Sequence, residues 1–144
     1  MNNAIEIITD GSYANHIMGI GYVRIVKQFE DDSYDLISGS AQFNKKKAKA
    51  YGSQAAEAMA VACALDDLNT TGYDGDVIIY CDLNSLEQYI NGEACRIDAK
   101  IQYIYDELDQ QLDNFSSVGA MHPKHAKHLS PDLHKIAHNL SAET

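Results

Sequence analysis

The chain of 144 residues is long enough for one domain with a hydrophobic core, predicted to span residues 1–144. Its 45% hydrophobic and 22% charged residues are typical of a globular protein, and neither a membrane span nor a signal peptide is recognisable. The net charge of −10 argues against an extended nucleic-acid surface, because phosphate binding depends on Lys and Arg. Three cysteines without disulfide or metal spacing indicate reduced thiols and predict a cytoplasmic protein.

The first predicted elements are three strands, at Ala4–Thr9, Gly19–Lys27 and Ser33–Phe43, the last two joined by an acidic turn. A helix is predicted over Ser53–Leu68, with Ser53 as its N-cap and an apolar stripe at helical spacing. The apolar run DVIIYC, residues 76–81, predicts a buried strand. The remaining predicted elements are helices over Asn84–Ile90 and Asp98–Leu112, a strand over Ser117–His122 and a final helix capped by Ser130 with Pro131 in its first turn.

Three strands followed by alternating helices and strands predict an α/β protein whose mixed sheet carries helices on its faces. In such sheets, functional sites form beyond the ends of central strands. Asp10 follows the first predicted strand, and Asp82 follows DVIIYC. If these two strands are parallel neighbours, their carboxylates meet, and Glu57 in the first turn of the Ser53 helix is the third candidate.

Each of these acids also has a structural interpretation. Asp10 suits a turn, Glu57 suits the positive end of the helix dipole, and Asp82 suits a helix N-cap. Clustered carboxylates, however, repel one another unless a cation lies between them. Oxygen ligands of this kind bind Mg²⁺, and a pair of such ions supports phosphodiester hydrolysis.

Several segments, taken in order, resemble ribonuclease H of type 1 over about Ala4 to Leu140. TDGS (residues 9–12) closes the first strand, and Gly19 and Gly21 lie in the second. Ala56-Glu57 opens an apolar helical pattern, VIIYCDLNSLEQYI (77–90) joins a strand, an acid and a short helix, and HKIAHNLSAE (134–143) is similar to the family's final helix.

The resemblance implies a five-stranded mixed sheet whose first three strands are antiparallel, with helices on both faces. It implies hydrolysis of the RNA strand of RNA–DNA hybrids with two Mg²⁺ or Mn²⁺ ions per site. By residue match, Asp10 would contact both metals, Glu57 would bind one metal and the RNA strand, and Asp82 would bind the metal that positions water.

The sequence departs from the family pattern at three places. His138 occupies the position of the fourth acid, and His134 occupies that of a preceding asparagine. Leu83 replaces a serine after Asp82, and the short segment 91–98 lacks the basic, tryptophan-bearing handle of some members. Because neutral imidazole binds many divalent metals, His138 is predicted as the fourth ligand.

A histidine-rich segment, HPKHAKH over residues 122–128, precedes the final helix. The family has a loop histidine here that helps products leave or moves protons, and both His125 and His128 fit that role. A zinc site built from these histidines together with His134 and His138 is an alternative, because their spacings of three and four suit a metal. The third interpretation is a solvated, partly basic loop.

Predicted contacts to nucleic acid surround the Glu57 helix, where a basic segment and helix amides can approach phosphates. The predicted residues are Gly11, Ser12, Lys45, Lys46, Lys47, Lys49, Ser53 and Gln54. The acidic balance and the missing handle leave a second hypothesis, a non-hydrolytic ribonuclease H-like module that binds nucleic acid or a protein. If the chain is a nuclease, a protein partner could supply the missing basic surface.

Overall fold

The computed structural model describes residues 4–31, 33–44, 52–93 and 95–142. Within these ranges, short 3-10 turns over Ala99–Ile101 and Pro123–His125 accompany nine regular elements. These are β1 (Ile5–Ala14), β2 (Ile17–Gln28), β3 (Tyr34–Asn44), α1 (Gly52–Asn69), β4 (Asp76–Tyr80), α2 (Asn84–Ile90), α3 (Gln102–Leu112), β5 (Ser117–Met121) and α4 (Asp132–Ala142).

The strands form one mixed sheet in the order β3-β2-β1-β4-β5. β2 is antiparallel to both β1 and β3, whereas β4 is parallel to both β1 and β5. The predicted five-stranded mixed sheet with three antiparallel strands is therefore confirmed. None of the described helices combines the length and apolar character needed to cross a membrane.

Each face of the sheet carries its own hydrophobic core, because side chains along a strand alternate between the two faces. Ile7 of β1 packs into the larger core with α1 and α3. Its neighbour Ile8 packs into the smaller core, together with Tyr80 of β4 and with Leu133 and Ala137 of α4. Helices thus cover both faces, as predicted, and α4 covers the face that Ile8 shares with Asp10.

The first strand is longer than predicted. It does not end at Thr9 but continues through the TDGS segment to Ala14, because β2 pairs with this whole length. Asp10 lies opposite Gly21 in this pairing and is not a turn residue. The parallel pairing with β4, by contrast, ends at Ile8 and Tyr80. Asp10 therefore lies just beyond the parallel part of the sheet while still being held by an antiparallel neighbour.

Helix α1 also begins earlier than predicted. It starts at Gly52, so Ser53 is inside its first turn rather than at its N-cap. Glu57 consequently lies in the second turn, and the prediction that it pairs with the helix dipole in the first turn is wrong. The alanines of α1 are small and are buried around most of the helix. They allow α1 to pack closely between the sheet and α3.

Glycines of β1 and β2 let two helices approach the sheet closely. A Cβ at Gly21 would collide with the Ala137 carbonyl oxygen of α4 and would lie 2.7 Å from the Ser141 nitrogen. On the opposite face, a Cβ at Gly11 would lie 2.5 Å from the Glu57 nitrogen of α1. These contacts are to backbone atoms, which cannot rotate aside. Both helices can therefore lie this close to the sheet only because the two glycines have no side chain.

We expect Gly11→Ala to destabilise the protein by about 1–3 kcal/mol, the usual cost of overpacking, since the methyl group must push α1 off the sheet. The free energy of unfolding in urea measures this cost. Gly119→Ala is the matched control in β5, where the nearest atom to a new Cβ is Asn91 Oδ1 at 3.8 Å. Equal stabilities of the two variants would contradict the close approach of α1.

Candidate active site

The register of the sheet brings Asp10 and Asp82 together. Ile8 and Tyr80 are partners in the parallel pairing of β1 and β4, and each acid lies two residues further along its chain. Side chains two residues apart in a strand project from the same face, which puts Asp10 on the face covered by α4. Asp82 follows the end of β4, and its carboxylate lies within 4.8 Å of that of Asp10 and faces His134 of α4. Asp82 is not the N-cap of α2, since that position is Leu83.

Asp10 is the buried centre of the site, with only 3% of its surface exposed. Its Oδ2 lies 2.6 Å from Nδ1 of His138, the short distance of a charge-assisted hydrogen bond. The His138 side chain is 62% exposed, so one side of this contact faces solvent. The predicted proximity of Asp10 and His138 is thus present in the structure.

Glu57 reaches Asp10 from α1 and is also buried, with 7% exposure. Burial raises the pKa of its carboxyl well above the ordinary value, and the hydrogen bond and charge of Asp10 and the charge of Asp82 act in the same direction. The Gly11 amide opposes this pKa shift but does not cancel it. The Oε2 atom of Glu57 is buried without a hydrogen-bond partner in the described part of the chain.

Asp82 is the accessible acid of the site and faces a second histidine of α4. Its Oδ2 lies 3.7 Å from Nε2 of His134, and the two side chains are 39% and 33% exposed. A surface cleft of about 390 Å³ is lined by Asp82, His134, Lys135, His138 and Asn139. This cleft gives solvent and ligands access to the cluster from the α4 side.

The donor set fits a divalent cation. Asp10, Asp82 and His134 each offer a ligand atom, and these atoms lie within 4.8 Å of one another, which makes them the one such group in the described ranges. Two further observations agree with a cation, because Glu57 Oε2 and His134 Nε2 are both buried and have no hydrogen-bond partner in the described part of the chain. Carboxylate oxygens with imidazole nitrogens suit metals such as Mn²⁺.

The loop histidines lie elsewhere. His128 Nε2 is 2.6 Å from Glu6 Oε1, which also accepts a hydrogen bond from the Tyr80 hydroxyl. Glu6 precedes Asp10 by four residues on β1, a distance of roughly 13 Å at the usual rise of a strand. His125 is exposed in the 3-10 turn, and His122 accepts a hydrogen bond from the Lys124 amide. Among the described residues, the group that could hold a metal ion does not include these loop histidines, so the alternative zinc site is not formed there.

The predicted nucleic-acid contacts are only partly visible. Lys45, Lys46, Lys47 and Lys49 lie outside the described residues. Ser53 is exposed in the first turn of α1, and the amide of Gln54 lies 3.5 Å from the Ser85 hydroxyl of α2. On β1, Gly11 packs against α1, and the Ser12 hydroxyl donates to the Ser141 carbonyl of α4. Gly11 and Ser12 thus have packing roles that position α1 and α4.

His134 is the site residue that sequence reasoning did not select. In the sequence it stands as a departure from the family pattern and as part of the alternative zinc site. The available signal was its spacing of four residues from His138, which places both rings on one face of a helix. That spacing alone could not show that the shared face covers Asp10 and Asp82.

Comparisons with known proteins agree with this architecture. Residues 11–143 match the family model described as reverse transcriptase-like, whereas no curated protein sequence matches. Ribonuclease H1 of the archaeon Halobacterium salinarum is similar in structure, with a TM-score of 0.72, 17% identity, and 98% and 96% of the two chains covered.

Two further solved structures are similar. The N-terminal ribonuclease H domain of a Mycobacterium tuberculosis protein has a TM-score of 0.69 and 14% identity, with 98% of each chain covered. LC11 ribonuclease H1, solved in complex with an RNA/DNA hybrid, has a TM-score of 0.72 and 18% identity, with 97% and 95% covered. The family match over most of the sequence and the shared strand order lead to one conclusion: the chain belongs to the reverse transcriptase-like family, with a ribonuclease H-like fold.

Proposed function

We infer that the protein is a metal-dependent endoribonuclease that hydrolyses the RNA strand of RNA–DNA hybrids. The observation that supports this most is the meeting of Asp10, Glu57 and Asp82 at one edge of the sheet. Burial and the neighbouring Asp10 and Asp82 raise the pKa of Glu57, and such a cluster of carboxylates destabilises a fold unless it binds a cation. The hybrid bound to the similar LC11 enzyme supports the choice of substrate class.

Each residue of the site has a distinct task in this proposal. Asp10, Glu57, Asp82 and His138 would hold two Mg²⁺ or Mn²⁺ ions. When bound, such a pair supplies a nucleophilic water and charge stabilisation for the leaving oxygen. Asp10 is fixed by its bond to His138, Glu57 is fixed by the packing of α1, and Asp82 faces the cleft where a phosphate can arrive. Lys135 adds a positive charge at the rim of this cleft.

A non-hydrolytic nucleic-acid-binding or protein-binding module is the second candidate function. It is favoured by the net charge of −10 and by the short connection between α2 and α3, where the described residues form only a loop and a 3-10 turn. Such a module would bind its partner without cleaving RNA. If the protein is a nuclease, a protein partner is proposed to supply the missing basic surface.

The test of the proposed function is cleavage of end-labelled RNA–DNA hybrid, double-stranded DNA and double-stranded RNA in the presence of Mn²⁺. We expect cleavage of the RNA strand in the hybrid and none of the DNA duplex, because selection for RNA requires recognition of the 2′-hydroxyl. Binding is expected to be weak and to fall steeply with salt, since phosphate contacts release counterions. Equal cleavage of the DNA duplex would contradict the substrate, and binding without cleavage would favour the second candidate.

Metal preference is a separate prediction about His138. We expect faster hybrid cleavage with Mn²⁺ than with Mg²⁺ at equal concentration, because Mn²⁺ accepts an imidazole ligand more readily. Activity should also fall on acidification, since protons compete with the metal for the ring nitrogen. His138→Asp should restore the use of Mg²⁺ and flatten this acidic limb.

Initial rates against pH with each metal measure both effects. Asn139→Asp is the matched control, because it adds the same charge one residue further along α4. A change of metal preference in His138→Asp but not in Asn139→Asp supports a ligand role. If His138→Asp alters neither the metal preference nor the acidic limb, His138 is not a ligand.

A further inference from the structure

We propose that His134 is a second imidazole ligand of the metal site, so that α4 supplies one nitrogen donor beside Asp10 and one beside Asp82. In this arrangement, His138 serves the Asp10 side and His134 serves the Asp82 side. The proposal deepens the nuclease site and rests on the proposed function for the biological use of the ions, but its test measures metal binding itself.

The environment of the His134 ring is the first support. Its Nε2 atom is buried and has no hydrogen-bond partner among the described residues, although the ring as a whole is one-third exposed. A buried imidazole nitrogen without a partner is unfavourable, because it has lost its bonds to water. The atom is therefore held in a position where a ligand would satisfy it.

The distance from His134 to Asp82 is the second support. At 3.7 Å, Nε2 and Oδ2 are too far apart for a hydrogen bond. Two donors bound to one ion at about 2.1 Å each lie about 3.0–3.5 Å apart. The observed gap is thus close to that of two ligands sharing an ion. His138 and Asp10, at 2.6 Å, instead form a direct hydrogen bond.

The seating of α4 is the third support. Leu133 and Ala137 are buried in the smaller core, and Gly19 and Gly21 of β2 leave room for the helix backbone. These contacts fix the rotation of α4 about its axis. His134 and His138, four residues apart, are therefore both presented at the edge of the sheet that carries Asp10 and Asp82.

Two neutral imidazoles beside three carboxylates change which ion the site binds. Mg²⁺ favours oxygen ligands in octahedral geometry, whereas Mn²⁺ tolerates nitrogen, and Zn²⁺ binds nitrogen more strongly than Mn²⁺ does. We therefore expect the affinity of the intact protein for the free ions to follow the order Zn²⁺, Mn²⁺, Mg²⁺. Loss of His134 should weaken Mn²⁺ binding by at least about tenfold, the lower end for loss of a supporting group at a metal site.

The experiment uses Mn²⁺ alone as the probe, with the full chain labelled with ¹⁵N in its histidine rings. Electron spin-echo modulation reports nitrogen atoms bonded directly to Mn²⁺, and calorimetry gives the dissociation constant. We expect nitrogen coupling from two histidines in the unsubstituted protein and from one in His134→Asn. His134→Asn and His138→Asn combined should show none.

His125→Asn is the matched control, since His125 is exposed in the 3-10 turn and does not belong to the group of described residues that could hold a metal ion. It should change neither the coupling nor the affinity. His134→Gln provides a second variant of different length if His134→Asn does not fold. Unchanged coupling and affinity in a folded His134 variant would overturn the proposal, as would a single coupled histidine in the unsubstituted protein.

Hybrid cleavage measured on the same samples separates the two proposals. Two coupled histidines without cleavage would support the metal site and contradict the nuclease. Cleavage with no effect of His134 substitution on the Mn²⁺ signal would support the nuclease and overturn the role of His134.

Discussion

Asp10→Asn is expected to reduce the rate of hybrid cleavage by at least about 10³-fold, equal to about 4 kcal/mol of transition-state stabilisation. Asp10 lies at the centre of the site, where it bonds to His138 and contacts Glu57. Asparagine keeps the shape and still accepts the hydrogen bond from His138, but it removes the negative charge that a divalent ion requires. The loss should therefore appear in catalysis while the fold is retained.

Single-turnover cleavage of labelled hybrid in saturating Mn²⁺ measures this effect. Asp35→Asn is the matched control, because Asp35 is exposed on β3 at the far end of its pairing with β2. Circular dichroism of both variants checks the fold. Retention of more than about a tenth of the wild-type rate, a difference below about 1.4 kcal/mol, would contradict a central role for Asp10.

Glu57→Gln is expected to stabilise the protein against unfolding when divalent ions are removed with a chelator. The pKa of Glu57 is raised in the folded state from an ordinary value of 4.5, mainly by burial and then by Asp10. The folded protein therefore binds more protons than the unfolded chain above about pH 4.5, and its stability falls as pH rises. The slope contributed by one group is at most about 1.4 kcal/mol per pH unit. Glutamine mimics the protonated carboxyl and removes this loss.

Urea unfolding with chelator, at several values from about pH 5 to about pH 8.5, tests the sign of the effect. The advantage of Glu57→Gln over wild type should be small at the acidic end and should grow towards the alkaline end. Glu107→Gln, at an exposed position of α3, is the matched control and should follow the wild-type curve. A wild-type protein that becomes more stable relative to Glu57→Gln as pH rises would contradict the shifted pKa.

Mn²⁺ should make the wild type more stable than Glu57→Gln, the reverse of the order in chelator, because the ionised carboxylate is the form that binds metal. At 100 times the dissociation constant, binding stabilises the folded state by about 2.7 kcal/mol. Glu57→Gln should gain less than wild type from the same concentration, since an amide is a weaker ligand. Comparison of the unfolding series with and without Mn²⁺ therefore separates two free energies: the destabilisation by the carboxylate cluster in the absence of metal and the stabilisation by metal binding.

The sequence predicted the parts of the fold that local patterns control. DVIIYC indicated a buried strand. The observed β4 is such a strand: it is parallel to both of its neighbours, and helices cover both faces of the sheet. The order of elements predicted the mixed sheet and the meeting of Asp10 with Asp82. It could not predict that β1 continues beyond Asp10, because this length depends on pairing with β2 rather than on the residues of β1.

The histidines show the same limit at the site. Sequence reasoning selected His138 because of its position in the family pattern, and the structure places it against Asp10. It did not select His134, because the rotation of α4 is determined by the packing of Leu133 and Ala137 in the core. It left the loop role in product release or proton transfer open between His125 and His128, and in the structure a long-range contact holds the His128 ring at Glu6. Contacts between distant segments decide all three positions.

The bond between Asp10 and His138 joins residues 128 positions apart in the chain. The carboxylates belong to the sheet and α1, but both imidazoles belong to α4, which also seals the smaller core. Detachment of α4 would remove both rings in one event and expose Ile8 and Tyr80 to water. If the imidazoles bind the ion, amide hydrogen exchange in α4 should slow progressively as the Mn²⁺ concentration rises above the dissociation constant, because the ion would bind the docked helix. Local opening of this one helix would then release both nitrogen donors of the proposed site at once.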